Sequence, residues 1–158
     1  MSVVAARVHP NGIVEIGADT QAMAGHEALT DFPKLHHYGT SAIGSAGSAE
    51  EWQCLHEFAQ NNPLTDKNRE SILTFLGAFR QTRADELQNS YLIAISGTLW
   101  QVGDMNAIRL THGAIGSGGI YARTALTAGM SVEKALQIAC KKDPYCGLPI
   151  AIYKVRKV

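Results

Sequence analysis

The order of strand-like and helix-like segments limits what this chain can fold into: strands, two helices, strands, two helices, one strand. Residues 3–8 are apolar and β-rich, His9-Pro10-Asn11-Gly12 reads as a turn, and residues 13–19 read as a second strand, so the chain opens with a hairpin. Residues 35–38 and 42–46 are short strand candidates around Gly39. Ser48 is placed to cap a helix, with Glu51 three residues on as a capping box. Trp52, Leu55, His56, Phe58 and Ala59 give that helix an apolar face ending near Asn61-Asn62-Pro63. A second helix is predicted from Thr65-Asp66, with Ile72, Leu73, Phe75, Leu76 and Phe79 at helical spacing. Residues 91–96 and 98–102 flank Gly97 as another hairpin, and 108–110 and 113–115 are shorter strands. Helices are predicted over 118–128 and 131–142, the latter capped by Ser131, and 149–155 closes the chain as a strand.

Clustered strands alternating with clustered helices argue against a doubly wound sheet and for an α+β chain, two packed sheets with helices outside. The 158 residues suit one domain, 1–158, with a substantial core. Hydrophobic residues make up 46% and charged residues 18%, a globular mix. The 14 Lys and Arg balance 14 Asp and Glu, so the chain lacks the basic field of a nucleic-acid binder. No apolar run approaches the ~20 residues of a membrane span. The first charge, Arg7, follows the opening apolar run, unlike a secretory leader. Cys54, Cys140 and Cys146 are too few for a disulfide framework, so the cytoplasm is the expected compartment. His36 and His37 are adjacent on a strand and point to opposite faces, which sets them against sharing a metal. Neither metal nor cofactor is expected.

Local motifs then fall into one order. Asn11-Gly12 leads into a strand ending in Asp19, followed by Thr20, Gln21 and Ala22. Lys34 begins the next strand, thirty-two residues after Ser2. Gly44-Ser45-Ala46-Gly47-Ser48-Ala49 enters the first helix, and Ala114-Ile115-Gly116-Ser117-Gly118-Gly119-Ile120-Tyr121-Ala122 enters the third. Asp143-Pro144-Tyr145-Cys146-Gly147 lies near the end. In this order and spacing the chain resembles the proteasome β-type and HslV-like subunits, which are N-terminal-nucleophile (Ntn) hydrolases. The resemblance covers nearly the whole length and implies a four-layer αββα sandwich, two antiparallel sheets between helix pairs. It departs from the family pattern in having Ser2 where Thr is usual and Cys146 where Ser is usual. Its opening hairpin is about one residue longer than the bacterial subunit's, and no propeptide is expected.

The resemblance implies a hydrolase, an N-terminal-nucleophile peptidase whose nucleophile is Ser2 once Met1 is removed. A hydroxyl needs a base to take its proton, and in this chemistry the base is the nucleophile's own α-amino group, titrating at roughly pH 8. Lys34 would supply a fixed positive charge and Asp19 would hold it. The Gly47 N–H would be the oxyanion donor, and Ser117, Asp143 and Cys146 would surround the terminal amine. Gln21, Ser45, Gly47 and Ala49 are the implied substrate-binding positions. The implied substrates are unfolded polypeptides. The implied assembly is a homo-oligomeric, stacked double ring of at least about twelve subunits, with an ATP-driven AAA+ unfoldase as a possible partner. The aromatic faces of the first two helices (Trp52, Leu55, Phe58, Ile72, Phe75, Phe79) are expected to contribute to contacts between subunits. Two other readings stay open: a catalytically silent ring subunit, and an Ntn amidase acting on a small molecule. Taken alone, Gly116-Ser117-Gly118-Gly119 also suits a phosphate-binding turn, although it lacks a Walker lysine.

Overall fold

The computed structural model describes residues 2–104 and 106–158. Alternation along β1 (Val4–Val8) and β2 (Val14–Ala18) sends one set of side chains to each face of a sheet. Val4, Ala6, Val14, Ile16 and Ala18 face the middle of the molecule, whereas Val3 and Ala5 face helices. The small two-stranded sheet β3 (Ala22–Ala24) and β4 (Glu27–Leu29) follows. Next come β5 (Leu35–Tyr38) and β6 (Ser41–Ala46), then helices α1 (Ala49–Asn61) and α2 (Arg69–Gln81). Strands β7 (Ser90–Ile95), β8 (Thr98–Val102), β9 (Ala107–Leu110) and β10 (His112–Ile115) precede α3 (Gly119–Thr127), α4 (Val132–Lys142) and β11 (Ala151–Val155).

All strand pairs are antiparallel, in a four-stranded sheet β10-β1-β2-β11 and a five-stranded sheet β5-β6-β7-β8-β9. Helices α3 and α4 cover the outer face of the first through Leu126, Val132, Leu136 and Ala139. The apolar side chains of α1 and α2 cover the outer face of the second. Leu35, Leu92, Leu99 and Ile115 fill the layer between the sheets with the inward face of β1 and β2. The architecture is the αββα sandwich. Among the described residues no helix is long and apolar enough to cross a membrane.

Four expectations need correction. Trp52, Leu55, Ile72, Phe75 and Phe79 are not left over for neighbours; all are buried against β7 and β8, and only Phe58 is partly exposed. A five-stranded sheet offers enough face to absorb two helices of aromatic side chains. Helix α2 begins at Arg69, capped by Asn68 Oδ1 accepting from Ser71 N at 2.8 Å. Asp66 instead organises the preceding loop, accepting from Lys67 N and Asn68 Nδ2. Only half of the capping box forms: Ser48 Oγ accepts from Glu51 N, but the Glu51 carboxylate turns inward to Gln88, Asn89 and Tyr91. The β3–β4 hairpin was not anticipated, since its mostly exposed residues carry no burial pattern.

His36 and His37 do point apart. His37 stacks on Tyr153 of β11, while His36 stacks on His56 of α1 with ring centroids 3.6 Å apart. Trp52 stacks on His36 at 5.4 Å, and Tyr38 Oη and His56 Nδ1 share a hydrogen bond of 2.8 Å. Burial, with the neighbouring His56, pushes His36 from 6.5 down to about 4. Burial also lowers His56, against the pull of Glu57. A histidine lowered on folding contributes stability that is full above its unfolded value and drains as pH falls toward its folded one. The urea midpoint should therefore drop between pH 6.5 and pH 4. His36→Phe keeps the stack without a titrating group and should lose less over that interval, because the carboxylates are common to both proteins. An equal loss would remove His36 as the source.

Candidate active site

Ser2 lies immediately before β1, buried, where strand pairing anchors the chain from Val4 onward. Its surroundings come from three segments distant in sequence. Its backbone nitrogen donates to Ser117 Oγ at 3.2 Å, and its carbonyl accepts from Gly118 N at 3.1 Å. Gly116, at φ +92°, passes so close that a Cβ there would overlap the Ser2 carbonyl oxygen. The glycine-rich turn is thus wrapped onto the backbone of residue 2, which uses donors that a phosphate would need. Met1 lies outside the described residues.

Behind Ser2 sits a fully buried carboxylate. Asp19 ends the hairpin, and its oxygens accept from Val3 N (3.0 Å), Gln21 N (3.3 Å), Gly147 N (3.1 Å) and the Lys34 ammonium (2.9 and 3.0 Å). Asp19 N donates in return to the Val3 carbonyl. The opening hairpin, the β5 entry and the 143–147 loop are therefore tied through one side chain. Lys34 is 5% exposed, and a lysine this buried needs such a partner. Its carbonyl accepts from Ser45 N, which joins it to β6.

Asp143, the C-cap residue of α4, stands behind Ser117. Burial works against its charge, but hydrogen bonds from Ser117, Tyr145 N and the Cys146 thiol hold its carboxyl below the usual carboxylate range. Cys146 Sγ donates to Asp143 Oδ2 at 3.4 Å. Burial, then the charges of Asp19 and Asp143, push the Cys146 thiol far up, so it is a protonated donor and not a thiolate. Ser2 N thus donates to Ser117 and the Cys146 thiol to Asp143, with the Ser117 hydroxyl favouring the charged form of that carboxyl.

Ser2, Lys34 and Gly47 line one cleft of about 190 Å³ with Ser45, Ser48 and Ala49. Ala22, Met23, Phe32 and Trp52 complete its walls, four positions that sequence reading did not assign. Their signal was hidden: Trp52 is expected at contacts between subunits, Phe32 falls between predicted strands, and Met23 lies in the unanticipated hairpin. Gln21 is not among the lining residues. Its Nε2 donates to the Pro144 carbonyl at 3.0 Å, and it packs so tightly on Gly147 that a Cβ there would overlap it. The side chain of Gln21 thus braces the 143–147 loop.

Asn89, just before β7, was also missed, because Asn-Ser between a helix and a strand reads as an ordinary turn. It is buried, and its Oδ1 accepts from Ser48 N at 2.6 Å. Its Nδ2 donates to Ser45 Oγ (3.0 Å) and the Ser48 carbonyl (2.8 Å). Gly47 adopts φ +138°, and a Cβ there would overlap Asn89 Oδ1. The glycine is required by its backbone angle and by the asparagine packed on it. Among the described residues the Gly47 N–H has no hydrogen-bond partner.

No protein-family model matches the sequence, and no curated protein does. Solved structures do match over the whole chain. Thiobacillus denitrificans BPH in complex with epoxomicin superposes with a TM-score of 0.87 at 20% identity, covering 99% of each chain. Thiobacillus denitrificans BPH itself matches at 0.82 and 22%, over 100% of this chain and 99% of that one. Eukaryotic HslV from Trypanosoma brucei matches at 0.76 and 21%, over 98% and 99%. The fold is that of BPH and HslV. With the HslV fold, the opening strand of the four-stranded sheet carries residue 2 into the cleft, and the β6–α1 junction delivers Gly47 to the same place. Such an arrangement can hold a carbonyl group between a hydroxyl and a backbone N–H beside a fixed ammonium, the geometry of acyl transfer.

Proposed function

We propose that the chain is an N-terminal-nucleophile endopeptidase, acting through an acyl-enzyme on Ser2 after Met1 is removed, as a subunit of a cytoplasmic chambered protease. One observation carries the reading: buried residue 2 shares a cleft with Lys34 and Gly47, and its nitrogen faces the Ser117 hydroxyl. Ser117 accepts from that nitrogen and is backed by Asp143 and Cys146.

In the proposed reaction the free amine of Ser2 takes the proton from its Oγ as Oγ bonds to the scissile carbonyl carbon. The Lys34 ammonium lowers the cost of the alkoxide and keeps the neighbouring amine neutral by repulsion. Asp19, saturated by three N–H groups, holds that ammonium in place. The oxyanion is met by the Gly47 N–H. The C–N bond then breaks, and the leaving amine takes the proton held by the Ser2 ammonium. Water, deprotonated by the same amine, attacks the ester, frees the new carboxyl group and restores Oγ–H. The lining of Ala22, Met23, Phe32 and Trp52 suits an apolar substrate side chain. The subunits would form a stacked double ring with an AAA+ unfoldase as partner. The exposed Ile120 and Tyr121 on α3 are available for such packing.

The deciding experiment follows mass and hydrolysis on one preparation. Intact mass should show loss of Met1, and the protein should cleave unfolded polypeptide in a large particle by sedimentation velocity. Epoxomicin, found with BPH, should inhibit that cleavage. A retained Met1 with no cleavage would make the chain a silent subunit. Cleavage only of small amides by a monomer would make it an amidase.

A further inference from the structure

We propose that Asn89, held by Glu51, is the positioning residue for the Gly47 N–H. This inference rests on the peptidase reading, in which that N–H meets the oxyanion.

The segment 45–48 leaves β6, lines the cleft and enters α1 within a few residues, and Gly47 sits in it at φ +138°. Left to itself, a glycine flanked by serines at a helix entrance samples many orientations of its amide. Asn89 removes that freedom. Its carboxamide grips Ser48 on both sides, Oδ1 to the N–H and Nδ2 to the carbonyl, and reaches back to Ser45 Oγ. Its Oδ1 also packs directly against Gly47. The 47–48 and 48–49 peptide planes are thereby referenced to one side chain, and the first of them adjoins the Gly47 amide.

That side chain is itself anchored. Glu51, 1% exposed, accepts from Asn89 N through Oε1 (3.1 Å) and from Gln88 N through Oε2 (2.8 Å), and the Tyr91 hydroxyl donates to Oε1. Burial and the Glu51 hydrogen bond drive the Tyr91 phenol far up, so it remains a donor. A buried carboxylate with three donors is a costly element to retain unless it fixes something. Here it ties the first turn of α1 to the residue that clamps the β6–α1 junction. Asn89 touches no reacting atom; it acts through the backbone of residues 47 and 48.

The test uses the full chain with Met1 removed and a fluorogenic apolar peptide. Asn89→Ala leaves Glu51 its backbone donors and should fold. Losing a whole oxyanion donor costs about 10²–10³-fold in kcat, and misaiming one should cost about 10–100-fold, with KM changed by less than about 2-fold. Glu51→Gln, which still accepts one of the two N–H bonds, should give a smaller fall in kcat. A merely structural role would lower the urea midpoint and the active fraction but leave kcat, counted per active site, at the wild-type value. Independently of activity, Gly47→Ala should cost less stability in the Asn89→Ala background than in wild type, because the overlapping Oδ1 is gone. Wild-type kcat in Asn89→Ala, or a loss confined to KM, would overturn the positioning role while leaving the peptidase reading intact. A wild-type protein that loses Met1 and still hydrolyses nothing would sink the peptidase reading and this role with it, whereas the Gly47–Asn89 coupling would then report only the packing.

Discussion

Ser2→Ala is expected to abolish peptide hydrolysis, a fall on the order of 10⁴-fold or more in kcat, with folding and particle size unchanged. The substitution is unusually clean. Alanine is small enough for Met1 removal to proceed, so the variant keeps the free amine and its contact with Ser117 and loses only Oγ. Ser2 lies before the first strand and its side chain fills no core position, so stability should hardly move. Hydrolysis at the wild-type rate would refute the nucleophile. Ser2→Thr should keep activity or raise it, since a β-branch restricts χ1 and pre-sets the hydroxyl.

Lys34→Ala is expected to fail on two counts, and separating them is informative. The ammonium is one of four donors to Asp19, so its removal leaves a buried carboxylate that still has three N–H partners. Breaking a buried ion pair typically costs about 3–5 kcal/mol, and the remaining donors should hold the loss to the lower end. At the chemical step the loss should reach about 10²–10³-fold in kcat, as for other preorganised charges facing an oxyanion. Lys34→Arg should retain more stability and somewhat more activity, yet remain severely impaired. A guanidinium is larger, spreads its charge over a plane and needs space that a 5% exposed position does not offer. If Lys34→Ala kept more than about a tenth of kcat, less than about 1.4 kcal/mol of barrier, the site as described would be wrong.

Both substitutions probe residues that the family resemblance named before any coordinates; local pattern supplied only their places in the order of elements. Asp19 ends a hairpin whose turn, Asn11-Gly12, is legible in sequence, and Lys34 and Gly47 fall at a strand start and a helix entrance. Strand and helix periods, caps and turns act over a few residues, so the order of elements could be read from them. Most strands and helices begin and end within a residue or two of expectation. The layer order followed from that element order together with the family resemblance.

What only the tertiary structure decided is which long-range partner each polar side chain takes. Glu51 was legible as a capping residue, but its carboxylate reaches across to residues 88, 89 and 91, a choice set by where β7 meets α1. Gln21 was named for substrate binding, and its side chain reaches a loop more than a hundred positions away, at Pro144. Asn89 carried no signal, because an asparagine before a strand has the same local appearance whether it faces water or clamps a glycine. The aromatic faces of α1 and α2 were read correctly as apolar but expected in part at neighbouring subunits, when the width of the five-stranded sheet buries all but Phe58. Periodicity reports which face of an element is apolar; what that face meets, and which buried donor finds which acceptor, depends on segments brought together only when the sheets pack.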